Sequence, residues 1–283
     1  MTLTNHKTYQ YDEIDFSPKK ILDGISPLRI GRRLYCFRRV DSTNRIAKLL
    51  ATRAVPDGTI VVADHQTAGR GRYDRSWIAP HGSSILCSVV LYPNVQTYQS
   101  ARITMLSSLA VCSAIREHCP LQPKIKWPND IFIGTKKVCG ILTEYNTDAE
   151  KIRWMVVGIG INVNFDTTCY PDISDIATSL YNECGFPVSR VALLQSLIMH
   201  FDNLYLQFLL NGFTDLVRLW KQQSCIIDKP VSVSDNMTTV HGIARDITSD
   251  GYLLIEDSHG MVHEIVCGDV SLKILSPDEG VQP

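Results

Sequence analysis

Between residues 30 and 224 short apolar runs of strand length alternate with longer segments whose apolar positions recur at helical spacing. Leu34-Tyr35-Cys36-Phe37, Thr59 to Ala63, Ser84 to Tyr92 and Ile152 to Val163 predict strands, the last rich in β-branched residues. Lys124 to Ile133 and Lys137 to Tyr145 predict a hairpin around Gly134-Thr135-Lys136. Asp41 or Ser42 can cap a helix carrying Ile46, Leu49 and Leu50. Ala101 to Glu117 sets Ile103, Leu106, Ala110 and Ala114 on one helical face, and Val191 to Leu210 and Phe213 to Lys221 predict two more helices. Phe165 to Ala177 has no period and contains Pro171, and a loop of that length in a compact domain is usually functional or mobile.

After Cys225 the pattern changes. Pro230 to Val233, Thr239 to Asp246, Tyr252 to Glu256, Met261 to Val266 and Val270 to Ile274 are short strands separated by turns such as Ser249-Asp250-Gly251 and Ser258-His259-Gly260. That spacing predicts a small all-β barrel. The expected organisation is an N-terminal arm (1–30), an α+β domain with a mixed sheet and helices packed on it (31–224), a small SH3-like β-barrel (225–276) and a tail (277–283).

Composition removes several function classes. A net charge of -1 gives no general field to attract nucleic acid, so any basic site must be local. The nine cysteines are scattered with no Cys-x-x-Cys pair, which suits buried free thiols better than a disulfide framework or zinc site. No secretory signal and no apolar run of membrane-spanning length is present, so a soluble, cytoplasmic protein without membrane or nucleic-acid partners is expected.

The segment with most chemistry is Asp64-His65-Gln66-Thr67-Ala68-Gly69-Arg70-Gly71-Arg72-Tyr73-Asp74-Arg75-Ser76-Trp77. Gly69 and Gly71 permit positive φ and close approach to a ligand, while Arg70 and Arg72 carry planar donor forks suited to carboxylate or phosphate. Taken alone, such a loop is also compatible with a basic surface turn. Two later segments accompany it, Lys126-Trp127-Pro128-Asn129-Asp130 and Gly158-Ile159-Gly160-Ile161-Asn162. The second is no dinucleotide fingerprint, because Val163 replaces the third glycine and no helix follows. Glycines spaced two apart on a strand instead leave one sheet face flat enough for a ligand. A Gly-Lys-Ser/Thr phosphate loop and a Gly-x-Ser-x-Gly elbow are both absent from the sequence.

With Asp41-Ser42-Thr43-Asn44, these three segments make the sequence resemble the biotin protein ligases of the short class, which lack an N-terminal DNA-binding domain. The resemblance implies a biotin/lipoate ligase-type catalytic domain that uses ATP to activate biotin as biotinyl-5'-AMP and then modifies a lysine of the biotin carboxyl carrier protein of acetyl-CoA carboxylase. It implies Ser42, Thr43, Asn44, Gln66, Gly69, Arg70, Gly71, Arg72, Lys137, Gly140, Leu142, Gly158 and Gly160 around biotin. It implies Arg72, Trp77, Lys126, Asn129, Asp130 and Asn162 around the nucleotide, with Arg72, Lys126, Asp130 and Lys137 catalytic. The clustered cations answer a physical need, since two unit charges about 4 Å apart repel by about 4 kcal/mol at an effective dielectric near 20. Mg²⁺ is expected to arrive on ATP without a dedicated protein cage. Ser42 serves equally as a helix cap, and Asp130 either takes the acceptor lysine's proton or caps a turn. Trp127 is expected to pack and Trp77 to form an adenine wall. A monomer and a homodimer both fit, as do docking of the carrier or of ATP on the small barrel. The competing readings are a lipoate or octanoate ligase, which needs no partners for a ureido ring, and a non-catalytic biotin-sensing protein.

Overall fold

The computed structural model describes residues 16–234 and 238–272; the first half of the expected arm, the end of the last expected strand and the tail lie outside them. The larger sheet comprises β1 (Leu34–Phe37), β2 (Thr59–Ala63), β3 (Ser84–Leu91), β4 (Lys124–Lys126), β5 (Asp130–Ile133), β6 (Lys136–Asp148) and β7 (Lys151–Asn162). Its order is β1-β2-β3-β7-β6-β5-β4, parallel only between β1 and β2, so it is mixed as the pattern predicts.

The helices are α1 (Pro18–Leu22), α2 (Thr43–Ala51), α3 (Ser100–His118), α4 (Leu180–Cys184), α5 (Arg190–Asn211) and α6 (Thr214–Gln223). Strand alternation divides the sheet into two faces. Ile85, Cys87 and Val89 of β3 and Val157, Ile159 and Ile161 of β7 join the large core with Leu106, Leu109, Leu194 and Phe201 of α3 and α5. Val61, Val90 and Val156 point the other way and pack with Ala47 and Ala51 of α2 in a smaller cluster. On that second face, beyond α2, lie Ser88 of β3, Gly140 and Leu142 of β6, and Gly158 and Gly160 of β7. Apolar side chains on one face and glycines on the other therefore give β7 a packed back and a shallow front. Among the described residues no helix is long and apolar enough to cross a membrane.

Three expectations change. The stretch 124–133 is not one strand: a cis Trp127–Pro128 bond and a turn divide it into β4 and β5, because proline cannot donate a ladder hydrogen bond. Residues 16–30 are less of an arm than their polar character suggests, since Ile21 and Ile30 are fully buried and Asp202 accepts the backbone amides of Leu28, Arg29 and Ile30. The C-terminal strands β8 (Pro230–Ser234), β9 (Thr239–Ile247), β10 (Leu253–Glu256), β11 (Val262–Ile265) and β12 (Asp269–Leu272) form an antiparallel SH3-like sheet in the order β11-β10-β9-β8-β12. Among the described residues β11 and β12 do not pair, so a closed barrel is not formed.

This sheet is joined to the larger sheet and its helices by polar and apolar contacts. Val231, Ile247 and Ile255 belong to the same core cluster as α3, Arg102 pairs with Asp250 at 2.6 Å, and Trp127 Nε1 donates to the Gly251 carbonyl at 2.9 Å. Trp127 is 2% exposed, so its role here is packing plus that one bond. Trp127→Phe keeps a ring but leaves a buried carbonyl without its donor, and is expected to lower unfolding free energy by about 1–3 kcal/mol in a denaturant titration.

Candidate active site

A cavity of about 320 Å³ opens on the glycine-bearing face of the sheet, lined by the loop after β2, the start of α2, and strands β3, β5, β6 and β7. The loop leaves β2 at Asp64, whose carboxylate pairs with the buried Arg190 at 2.7 Å; Arg190 also donates to the Ser84 carbonyl at 3.2 Å. That anchor ties the loop's origin to β3 and α5. The loop then folds on itself through Gly71 N to Arg75 O at 2.7 Å and Trp77 N to Gly69 O at 3.0 Å.

Glycine's expected positive φ is not used here. Gly71 has φ -101, and the left-handed residue is Tyr73 at φ 53. Gly69 is instead required for space, since a Cβ there would meet the Trp77 carbonyl at 3.0 Å and Gln66 Nε2 at 3.1 Å. Gly140 and Gly160, paired across β6 and β7, have the same function toward Trp77: a Cβ on either would lie within 3.0 Å of its indole. The flat face that the glycines create is thus covered by Trp77, whose Nε1 is buried without a partner and whose ring lies 5.5 Å from Lys137 Nζ.

The cations converge on this cavity from different elements. Lys137 Nζ stands 2.7 Å from Asp130 Oδ1, an ion pair outside hydrogen-bonding geometry. Among the described residues Asp130 Oδ1 has no hydrogen-bond partner, and no bond from the Asp130 carboxylate to the turn backbone is formed, as a turn cap would require. Arg72 donates to the Gly268 carbonyl at 3.1 Å, lies 3.5 Å from Asn129 Oδ1 and 3.8 Å from Asp269 Oδ1, and stacks on Tyr73 at 4.9 Å. Asn129 Nδ2 donates to the Ile141 carbonyl at 2.7 Å. Lys126 faces the Phe132 ring at 4.9 Å, and Lys126 and Arg70 have no carboxylate partner among the described residues. At the β7 end, Asn162 donates to the Thr178 carbonyl at 3.0 Å while its Oδ1 is buried without a partner.

The opposite end is neutral and closely bonded. Thr43 N and Oγ1 donate to Gln66 Oε1 at 2.7 and 3.0 Å. Asn44 Nδ2 donates to the Leu142 carbonyl at 3.2 Å and Glu144 Oε2 at 2.8 Å, and Ser88 Oγ lies 2.6 Å from Asn44 Oδ1. Gly158 exists to admit Asn44, whose Oδ1 would be 2.1 Å from an added Cβ. Ser42 occupies the N-cap position of α2 but its hydroxyl makes no capping bond, and the residue lines the cavity. The cap reading of Ser42 is therefore not realised.

Burial alone would raise the Glu144 carboxyl, but hydrogen bonds from Lys48 and Asn44, with the charges of Lys48 and Arg70, outweigh it and hold the group below its ordinary value near 4.5. A depressed folded-state value means stability that is present above the unfolded value and lost as pH falls through the folded one. The stability gap between the parent and Glu144→Gln is accordingly expected to be full at about pH 7 and to close below about pH 4 in paired denaturant titrations.

Every residue anticipated around biotin and nucleotide lines this cavity except Gly69, whose missing side chain leaves room for Gln66 and Trp77. The sequence reading missed Ser88, Lys48, Glu144, Arg75 and Asp269. Glu144 was within reach of strand alternation, because Gly140, Leu142 and Glu144 share one face of β6. Asp269 carried no local signal; its place beside Arg72 and Arg75 depends on how the C-terminal sheet docks. The irregular segment 165–177 is not free-standing either. Lys137 N donates to the Ile176 carbonyl at 3.0 Å and Thr178 N to the Lys137 carbonyl at 2.8 Å, which lays the segment along β6 with Ile173, Ile176 and Ala177 in the cavity wall.

Comparison with known proteins agrees with this arrangement. Residues 36–162 match the Biotin/lipoate A/B protein ligase family, and residues 226–273 match the Biotin protein ligase C terminal domain. Over 257 residues the chain is 35% identical to the Bifunctional ligase/repressor BirA of Bacillus subtilis, covering 90% of this chain and 79% of that protein. The chain belongs to the biotin protein ligase family. Within that family it is also 31% identical over 247 residues to the biotin–(acetyl-CoA-carboxylase) ligase of Mycobacterium tuberculosis, covering 84% of this chain and 88% of that one. A biotin protein ligase structure from Aquifex aeolicus, solved in complex with biotin and ATP, superposes with a TM-score of 0.73 at 28% identity over 86% of this chain and 99% of that one. As a biotin protein ligase the chain is an enzyme, and the cavity described above is its one region where cations, glycine-cleared sheet and locked amides meet among the described residues.

Proposed function

We propose that this ligase attaches biotin to a specific lysine of the biotin carboxyl carrier protein of acetyl-CoA carboxylase, or a related carboxylase, through biotinyl-5'-AMP. The observation that carries the reading is the mixed lining of the cavity: Arg72, Lys126 and Lys137 line it together with the amides of Asn44 and Gln66, and Arg70 lines it close enough to Glu144 for its charge to be felt there. A ligand that carries both a carboxylate and a neutral hydrogen-bonding ring matches that mixture of cations and amides, and biotin is such a molecule.

In the first step a biotin carboxylate oxygen forms a bond to the α-phosphorus of ATP and pyrophosphate leaves. Arg72 and Lys137 would hold the carboxylate and the charge that develops on the transferred phosphate, with Lys126 and Arg70 on the remaining phosphate oxygens. Trp77 would meet the adenine, and Asn162, with an unpartnered buried oxygen, would accept from the nucleotide. Magnesium bound to the phosphates needs few protein ligands, and Asp130 with Asn129 supplies oxygen donors of the right kind beside the cations. In the second step the carrier's lysine amine attacks the acyl carbon, AMP leaves with the electron pair, and Asp130 accepts the proton. A free lysine near pKa 10.4 is almost wholly protonated at neutral pH, so a nearby acceptor matters. The wall formed by Ile173, Ile176 and Ala177 would keep water from the mixed anhydride.

The decisive experiment is transfer of labelled biotin, with ATP and Mg²⁺, to an isolated biotin-carrier domain and to the same domain with its acceptor lysine replaced, with lipoate in parallel. Incorporation that requires ATP and that lysine is the expected result. Transfer of lipoate in place of biotin would establish the lipoate-ligase alternative, and biotin binding without pyrophosphate release or transfer would establish the sensing one.

A further inference from the structure

Two side-chain amides line the neutral end of the cavity, and each is bonded to partners that permit only one orientation. Asn44 Nδ2 faces the Leu142 carbonyl and the Glu144 carboxylate, both of which can only accept, so the amide nitrogen must point at them. Asn44 Oδ1 then faces the other way, accepts from Ser88 Oγ at 2.6 Å, and keeps one lone pair free. Gln66 is locked in the opposite sense. Its Oε1 accepts from the Thr43 backbone amide, which can only donate, so Nε2 is turned away and makes no hydrogen bond among the described residues.

The Asn44 orientation depends on a charge that does not itself line the cavity. Glu144, on the same face of β6 as Leu142, accepts from Asn44 through Oε2 and is held by Lys48 Nζ at 2.7 Å through Oε1. Resting on the biotin reading above, we propose that Glu144, oriented by Lys48, is a positioning residue that makes the site selective for a cyclic urea. It forces an acceptor, Asn44 Oδ1, toward a ring N–H, while Gln66 supplies a donor for the ring carbonyl.

Glu144→Gln tests this because Lys48 can only donate. Lys48 will take the new amide's oxygen, turning its NH₂ toward Asn44 Nδ2, so that donor meets donor and Asn44 is either displaced or flipped against the Leu142 carbonyl; in both cases Oδ1 is no longer held toward the ligand's N–H. The expected result is a rise in biotin Kd and KM of about 10- to 100-fold, with kcat at saturating biotin and the KM for ATP changed by no more than about twofold. K48M E144Q removes the competing donor, frees the introduced amide to offer its oxygen to Asn44, and is expected to return biotin KM to within about threefold of the parent. The parent should also reject a biotin analogue methylated on a ring nitrogen more strongly than E144Q does.

An unchanged biotin KM in E144Q, or a double variant as weak as the single one with a normal melting temperature, overturns the proposal. If E144Q does not fold, the comparison passes to K48M E144Q against K48M E144L, of which only the first retains an acceptor for Asn44; equal affinities overturn it. A parent enzyme that binds no biotin overturns the functional reading itself, whereas a binding parent with an indifferent E144Q overturns only the role of Glu144.

Discussion

Lys137→Ala is expected to slow biotin-dependent ATP–pyrophosphate exchange by about 10²- to 10³-fold, the loss typical when one preorganised donor to a developing charge is removed. The residue is held through its backbone and its ammonium. Its backbone amide and carbonyl are bonded to Ile176 and Thr178, and its ammonium sits 2.7 Å from Asp130 and 5.5 Å from the centre of the Trp77 ring. Truncation also leaves the Asp130 carboxylate, about one quarter exposed, without its counter-charge where a carboxylate and a triphosphate must come together. That second effect separates the variants: Asp130→Asn in the Lys137→Ala background should recover part of the exchange rate by removing the stranded anion. The measurement is exchange of labelled pyrophosphate into ATP at saturating biotin, with melting temperature as the folding control. A loss of less than about tenfold would remove Lys137 from the transferring phosphate.

Gly158→Ala is expected to abolish measurable biotin binding at concentrations that saturate the parent, and to lower stability by about 1–3 kcal/mol, the usual cost of forcing an extra methyl into a packed site. Its Cβ would stand 2.1 Å from Asn44 Oδ1 and 2.8 Å from Asn44 Cγ. Asn44 cannot step aside cheaply, because Leu142, Glu144 and Ser88 all bond to its amide. Gly160→Ala meets a different neighbour, the Trp77 indole at 2.7 Å, so its deficit should fall on the nucleotide more than on biotin. Isothermal titration with biotin alone, then with ATP, distinguishes the two. Equal loss of both ligands in both variants would show that the glycines serve the sheet and not two separate parts of the cavity.

Much of the architecture was legible without coordinates. The strands at 59–63, 84–91 and 151–162 and the helices at 100–118 and 190–211 emerge from hydrophobic period alone, because a core-facing side chain every second or every third to fourth residue is a local property of the chain. The loop at 64–77 was legible for another reason: its two arginines and two glycines within four residues stand in one chain with Lys126 to Asp130 and Gly158 to Asn162, and the conjunction of the three segments singled it out where the loop alone would also suit a basic surface turn. Period could not separate β4 from β5, where a proline interrupts otherwise strand-like residues, nor reveal that the polar stretch 16–30 delivers Ile21 and Ile30 to the core.

What the sequence by itself determined is therefore the inventory: which segments are strands of a mixed sheet, that Gly158 and Gly160 leave one face of β7 bare, and which cations are available to meet phosphate and carboxylate. Tertiary structure decided how those groups are aimed. Asn44 and Glu144 lie 100 residues apart, Arg72 and Gly268 lie 196 apart, and Lys137 meets the 165–177 segment only after β7 has returned across the sheet. Local sequence can specify a donor or a charge, but the direction in which an amide faces is set by the partners that reach it. Those partners here come from strands and loops that only folding brings within hydrogen-bonding distance.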